Sequence, residues 1–150
     1  MASGHDIAMG LRAAYWGMHR RTQARLARGG VTADQFVLLA LLAEQDGITQ
    51  QELVRRASSD ANTVRAMLVL MESRGLVARK GHPTDRRARS VTLTHKGRQV
   101  YDRLWADSEP VRHRLLAAFE PEEADTLVEL LNRISETMAR AATSAIGNDI

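Results

Sequence analysis

The chain is 150 residues long, 44% hydrophobic, free of cysteine and formally +3, which fits one domain or one compact unit with helical additions and excludes disulfides, thiolate metal centres and cysteine redox sensing. Its polar start, MASGHDIAMG, is no signal peptide, and no run of about 18 apolar residues is present to span a bilayer, so a cytoplasmic protein with no membrane partner is expected. Charge is unevenly spread: Ile48 to Val100 holds eleven Lys/Arg against four acids, a surplus of seven that leaves −4 for the flanks, as suits a polyanion-binding middle held by helices that do not touch the polyanion.

From Asp6 to Arg28, Ile7, Leu11, Ala14, Tyr15, Met18 and Leu26 recur at helical spacing, and Gly29-Gly30 ends the helix. Thr32 opens a second helix with Gln35 three residues on, a capping-box pairing, and Phe36, Leu39, Ala40, Leu42 and Ala43 line its apolar face up to Asp46-Gly47. Thr49 caps a third helix with Glu52 at the matching position, and Leu53, Val54 and Ala57 turn inward. The polar turn Ser58-Ser59-Asp60 supplies capping oxygens to a fourth helix, whose Val64, Met67, Leu68 and Met71 share a buried face and whose C′ residue is Gly75. Leu76–Arg79 and Ser90–Leu93 read as short strands around a long loop built on Gly81, Pro83 and Asp85. Thr94 caps a long fifth helix through Val100, Leu104, Val111, Leu115 and Phe119, which Pro110 should kink or break near Ser108. Pro121 takes the N1 position of a sixth helix, where Leu127, Leu131, Ile134 and Met138 form a seam for another helix.

A helix pair followed at once by an arginine-tipped hairpin is the layout of a winged helix-turn-helix, so the expected fold is mainly α with a small β-hairpin wing. Asn62 and Arg65 lie one turn into the fourth helix, opposite Met67 and Met71; arginine can read guanine O6/N7 and asparagine adenine N6/N7. Arg86, Arg87 and Arg89, on a Pro/Gly-built loop, suit the negative potential of a narrow minor groove. Thr49, Ser58 and Ser59 combine capping with the capacity to donate to phosphates at helix starts. The competing account of these charges is a solvated basic face on an ordinary domain. His5, His19, His82, His95 and His113 show no tight metal-ligand spacing, and no G-x-S-x-G, P-loop or G-x-G-x-x-G occurs, so neither metal, cofactor nor catalysis is expected.

Within this order sit RGLV at Arg74–Val77, D-x-R at Asp85–Arg87 and LTHKG at Leu93–Gly97. Together, from about Asp6 to Ala142, the chain closely resembles the multiple-antibiotic-resistance regulator (MarR) family of bacterial transcription factors. The resemblance implies a homodimer whose first, fifth and sixth helices intertwine, with residues 6–30 and 98–142 as the helical dimerisation region and 32–97 as the winged DNA-binding region. It implies recognition helices in successive major grooves of a pseudo-palindromic operator and wings in the flanking minor grooves. Asn62, Thr63 and Arg65 then meet bases or phosphates, Arg87 matches the wing-tip arginine, and Asp85 matches the acid that holds the wing in shape. The chain departs from the pattern at Ala66, where relatives often carry arginine, and at Leu70, where a basic residue is usual.

In such relatives a crevice between the dimerisation helices and the winged domain binds small, often aromatic or phenolic, anions and weakens DNA binding. Tyr15, Trp16, His19 and Arg20 are the corresponding candidates, although Tyr15 and Trp16 would equally fill a dimer core. The expectation is a dimeric regulator of transcription, most often a repressor in this family, released by a small aromatic anion. A regulator without such a ligand, controlled by a partner protein or its own concentration, stays open. So does a winged-helix protein-interaction module, against which the surplus of seven positive charges argues.

Overall fold

The structure, a computed structural model, describes residues 1–81, 84–85 and 88–146, with backbone alone for 142–146. Two compact units divide the chain, Met1–Val111 and Arg112–Ile150. The first holds α1 (Gly4–Leu26) running into a 3-10 turn at Ala27–Gly29, α2 (Ala33–Glu44), β1 (Ile48–Thr49), α3 (Gln50–Arg56), α4 (Ala61–Ser73), β2 (Val77–Lys80), β3 (Ser90–Leu93), α5 (His95–Asp107) and the start of α6 (Glu109–Ala117). This is a winged helix-turn-helix with added helices.

Side-chain caps set most of the helix starts. Ser3 and Asp6 form a capping box, so α1 begins two residues before the Asp6 expected from apolar spacing. Thr32 and Gln35 form the expected box on α2. Thr49 accepts the Glu52 N–H at 3.1 Å, but the Glu52 carboxylate does not close a box: it turns to Arg55 and Arg56, where charge-assisted bonds win over a neutral N–H. Asp60 is the oxygen that caps α4, not Ser58 or Ser59. Thr94 caps α5, as its position before the periodic run predicts.

The core of this unit gathers Leu26, Leu38, Leu39, Leu42, Leu53, Val64, Leu68, Met71, Leu76, Val77, Val91 and Leu104, all essentially without solvent contact. The wing is a three-stranded antiparallel sheet, ordered β1-β3-β2, with Val77 opposite Leu93, Lys80 opposite Ser90 and Ile48 opposite Val91. Its third strand, Ile48–Thr49, was not expected, because two residues carry no period that a sequence can display.

Two motifs fasten the wing to the helices. Gly75 adopts φ +72°, the left-handed C′ geometry that ends α4 and turns the chain into β2. Opposite it, the Thr94 N–H donates to the Leu76 carbonyl at 3.1 Å, the Thr94 hydroxyl to the Gly75 carbonyl at 2.5 Å and Lys96 Nζ to the Arg74 carbonyl at 2.9 Å. A Cβ at Gly97 would stand 1.9 Å from the Leu76 oxygen, so only glycine lets α5 start against that backbone. The arginine of RGLV donates to the Gly30 carbonyl.

The long fifth helix breaks where Pro110 predicts: α5 ends at Asp107, the buried Ser108 hydroxyl bonds the Leu104 carbonyl at 2.7 Å, and α6 begins at Glu109. In the second unit Pro121 is the first residue of α7 (Pro121–Ile146). Leu127 and Ile134 are half-buried, whereas Val128, Leu130, Leu131 and Met138 are exposed. Among the described residues no single helix is long and apolar enough to cross a membrane.

Candidate nucleic-acid interface

The helix α4 buries Val64, Leu68 and Met71 and turns Asn62, Thr63 and Arg65 to solvent. Asp60 Oδ1 accepts the Thr63 N–H at 2.8 Å, and the Thr63 hydroxyl donates to Asp60 Oδ2 at 2.6 Å. These bonds hold the Asp60 carboxyl below the usual aspartate range, the Thr63 hydroxyl contributing most. The Thr63 hydroxyl proton is therefore engaged by the cap, while Asn62 and Arg65 project without an ion pair among the described residues.

Between α3 and α4, Ser58 sits at φ +51°, the one non-glycine described residue in the left-handed region. The Ser58 N–H bonds the Arg55 carbonyl at 3.2 Å and the Ser59 N–H the Val54 carbonyl at 3.3 Å, which close α3 and fix the turn. Ser58 is exposed and Ser59 half-buried; Thr49 is exposed at the start of α3.

The eleven basic residues of the middle segment are not equivalent. Arg55 and Arg56 both bond Glu52, at 3.0 and 2.9 Å through Nε, and Arg56 also reaches Gln45 at 2.8 Å. The pair of guanidiniums, Arg55 foremost, holds the Glu52 carboxyl down at about 2. Arg79 is bound by Glu72 at 3.1 and 3.3 Å, and its backbone N–H meets the same carboxylate at 3.2 Å, which ties the C-terminal end of α4 to β2. Arg79 is nine-tenths buried in its side chain, and its guanidinium is the leading cause of the lowered Glu72 pKa. Counting charge along the sequence could not separate these tethered arginines from the exposed Arg65, Lys80 and Arg89.

At the wing the Arg89 carbonyl accepts the Gln50 N–H at 2.8 Å, which joins the start of α3 to the strand entry, and the Ala88 N–H donates to the Asp85 carbonyl at 3.2 Å. Asp85 and Arg89 are exposed. Arg86 and Arg87 lie outside the described residues.

On α1, Tyr15, Trp16 and His19 form one aromatic group: Tyr15 and Trp16 meet edge to face at 5.4 Å, Trp16 and His19 likewise at 5.4 Å, and Tyr15 stacks on His19 at 5.6 Å. A surface cavity of about 470 Å³ is lined by Met9, Arg12, Ala13, Trp16 and Arg20. Trp16 and Arg20 thus come together as expected, and Tyr15 and His19 stand beside that cavity without lining it. Arg12 and Met9 were missed, although positions 9, 12, 13, 16 and 20 trace one helical stripe that the sequence already contains.

With this geometry, the profile of the MarR family matches residues 31–88, from the end of the first helical segment into the wing. The transcriptional regulator HosA of Escherichia coli O157:H7 is 31% identical over 107 residues, 71% of this chain and 79% of HosA. The chain belongs to the MarR family of transcriptional regulators. Another member-like relative, an HTH-type transcriptional repressor of Mycobacterium bovis, is 29% identical over 111 residues, 74% of this chain and 80% of the relative. Among solved structures, BpsR of Bordetella bronchiseptica, whose DNA binding is regulated by 6-hydroxynicotinic acid, is 29% identical with a TM-score of 0.78, over 86% of this chain and 98% of that one. MarR membership makes the α3–α4 pair and the β2–β3 hairpin the elements to weigh for DNA contact, and the exposed Arg65, Lys80 and Arg89 lie on α4, on β2 and at the entry to β3.

Proposed function

We propose that this protein is a cytoplasmic homodimeric repressor that binds a pseudo-palindromic operator through α4 and the wing. The observation that carries the reading is the exposure of Asn62, Thr63 and Arg65 on α4, a helix joined to the wing by the Glu72–Arg79 bridge, within the segment of +7. Thr49 and Ser59 at the helix starts, Thr63 through its oxygen, and Arg86, Arg87 and Arg89 on the wing contribute phosphate or groove contacts, and Asp85 shapes the loop. Dimerisation is supported by Val128, Leu130, Leu131 and Met138 on α7 and by Ile7 and Met9 on α1, apolar side chains a soluble monomer rarely leaves in water. Gel shifts on a random-sequence duplex pool, repeated over a salt series, test the reading. Retained duplexes with log K falling steeply against log salt are expected; retention of no duplex at low salt would contradict it.

A small aromatic anion is the proposed release signal. Two arginines and one indole line the α1 cavity with no acid among them, a set that suits a carboxylate or phenolate on a ring. The regulation of BpsR by 6-hydroxynicotinic acid supports that class of ligand. A tenfold loss of operator affinity needs about 1.4 kcal/mol of preference for the DNA-incompetent state, well within ordinary couplings. Hydroxynicotinic and phenolic acids, titrated into a Trp105→Phe variant, should quench Trp16 and release the duplex. Release by none of them, with Trp16 emission unmoved, would favour control by a partner protein.

A further inference from the structure

The outward face of α4 carries exposed apolar side chains although the helix lies within the basic middle segment of the chain. Arg65 is the only cation in the helix, and Ala66, Val69 and Leu70 are all exposed, Val69 by 46% and Leu70 by 56%, although Val64, Leu68 and Met71 behind them have no solvent contact. At 100° per residue Asn62, Ala66, Val69 and Leu70 share one stripe, so the apolar residues continue the line that begins at the exposed asparagine. From Asn62 to Leu70 that stripe runs about 12 Å, the length of roughly three to four base pairs.

We propose that Ala66, Val69 and Leu70 select thymine by packing on its C5 methyl groups in the major groove, and so confer a thymine-rich half-site on this protein. The proposal rests on the DNA-binding reading above and adds the sequence class that the operator must have. The surplus of seven positive charges along Ile48–Val100, with Arg65 exposed on α4 itself, favours duplex DNA as the occupant of this face over a neutral protein surface. Within the major groove, the thymine methyl is the apolar feature that side chains such as these can cover. Guanine O6/N7 or cytosine N4–H₂ set against Leu70 would instead lose water without gaining a partner, so G·C pairs are disfavoured at the same positions. Asn62 adds an adenine preference at one end of the stripe, and Arg65 reads one guanine beside it.

Duplexes selected from a random pool should show thymines clustered in each half-site next to one adenine and one guanine. Replacing those thymines by uracil removes only the methyl groups. Affinity should then fall about fourfold for each methyl contacted, the equivalent of about 0.8 kcal/mol for one buried methyl-sized group. Leu70→Ser, a change at an exposed position whose folding is checked by thermal melting, should erase the thymine-over-uracil preference at one position and keep it at the others. Equal binding of thymine and uracil duplexes by the unaltered protein would overturn the proposal while leaving DNA binding intact, as would a Leu70→Ser protein that keeps every preference. Failure to retain any duplex would instead bring down the DNA-binding reading, and this inference with it.

Discussion

In the winged body Leu53, Val64, Leu68, Met71, Leu76, Val77 and Val91 are buried, whereas through residue 141 α7 buries no side chain and leaves Val128, Leu130, Leu131 and Met138 between 39% and 62% exposed. The two regions spend similar apolar residues on different tasks. Covering a leucine stabilises by about 1.5–3 kcal/mol, so the winged body completes its own core, and α7 retains most of that gain for a surface it does not contain. A second copy of the chain is the partner we propose for that surface, because its own α7 would carry the matching seam. By the same reasoning, the exposed Arg65 and the apolar stripe of α4 are proposed to meet a partner of another kind. What is closed in this molecule is scaffold, and what is open is proposed to bind.

The closed half can be broken most severely at Gly97. Gly97→Ala forces a Cβ to 1.9 Å from the Leu76 carbonyl, and a loss of roughly 3 kcal/mol or more in urea unfolding is expected. A change below about 1 kcal/mol would show that the junction of β2 and α5 is not closed.

The open half is sharpened at Arg65. Arg65→Ala should weaken binding of the preferred operator by about 1–3 kcal/mol and blur discrimination at one base pair, with little effect on folding, because the side chain is exposed. Titrations against the selected duplex and its single-base variants measure both effects.

The bridge between the wing and α4 should have an intermediate effect. Glu72→Gln removes the charge that binds Arg79 and should cost about 1 kcal/mol after solvent screening, since the Glu72 side chain is 40% exposed. The folded-state pKa of Glu72 is lowered, so its contribution is complete above the ordinary value of 4.5 and fades as pH falls below it. Unfolding midpoints of the two proteins should therefore differ at pH 7 and converge in acid.

The smallest effect concerns the turn between α3 and α4. Ser58→Gly relieves the left-handed serine at φ +51° and should stabilise by up to about 1 kcal/mol. A loss of stability on thermal melting would show that the serine side chain matters more to the turn than its backbone angle does.

Much of the scaffold was legible because local chemistry marks it. Thr32, Thr49 and Thr94 cap the helices they precede, Gly75 turns the chain, and Pro110 and Pro121 break and begin helices. What stayed hidden depends on long-range approach. Glu52 and Gln35 both stand three residues after a capping threonine, but only Gln35 closes its box, because Glu52 has Arg55 and Arg56 within reach. Arg79 looks like any other basic residue in the sequence, and only the fold sets the Glu72 carboxylate against it, at 3.1 and 3.3 Å. Ala66 and Leu70 could be seen as departures from the family pattern, but their exposure, which makes the departure informative, needed the packed helix.

Sedimentation velocity of the full chain with its selected duplex tests the central claim most directly. Two chains should travel with each duplex, on half-sites about one helical turn apart, roughly 34 Å, and the free protein should sediment as a dimer at micromolar concentration. A free monomer at that concentration, or one chain bound per duplex at full affinity, would contradict the account.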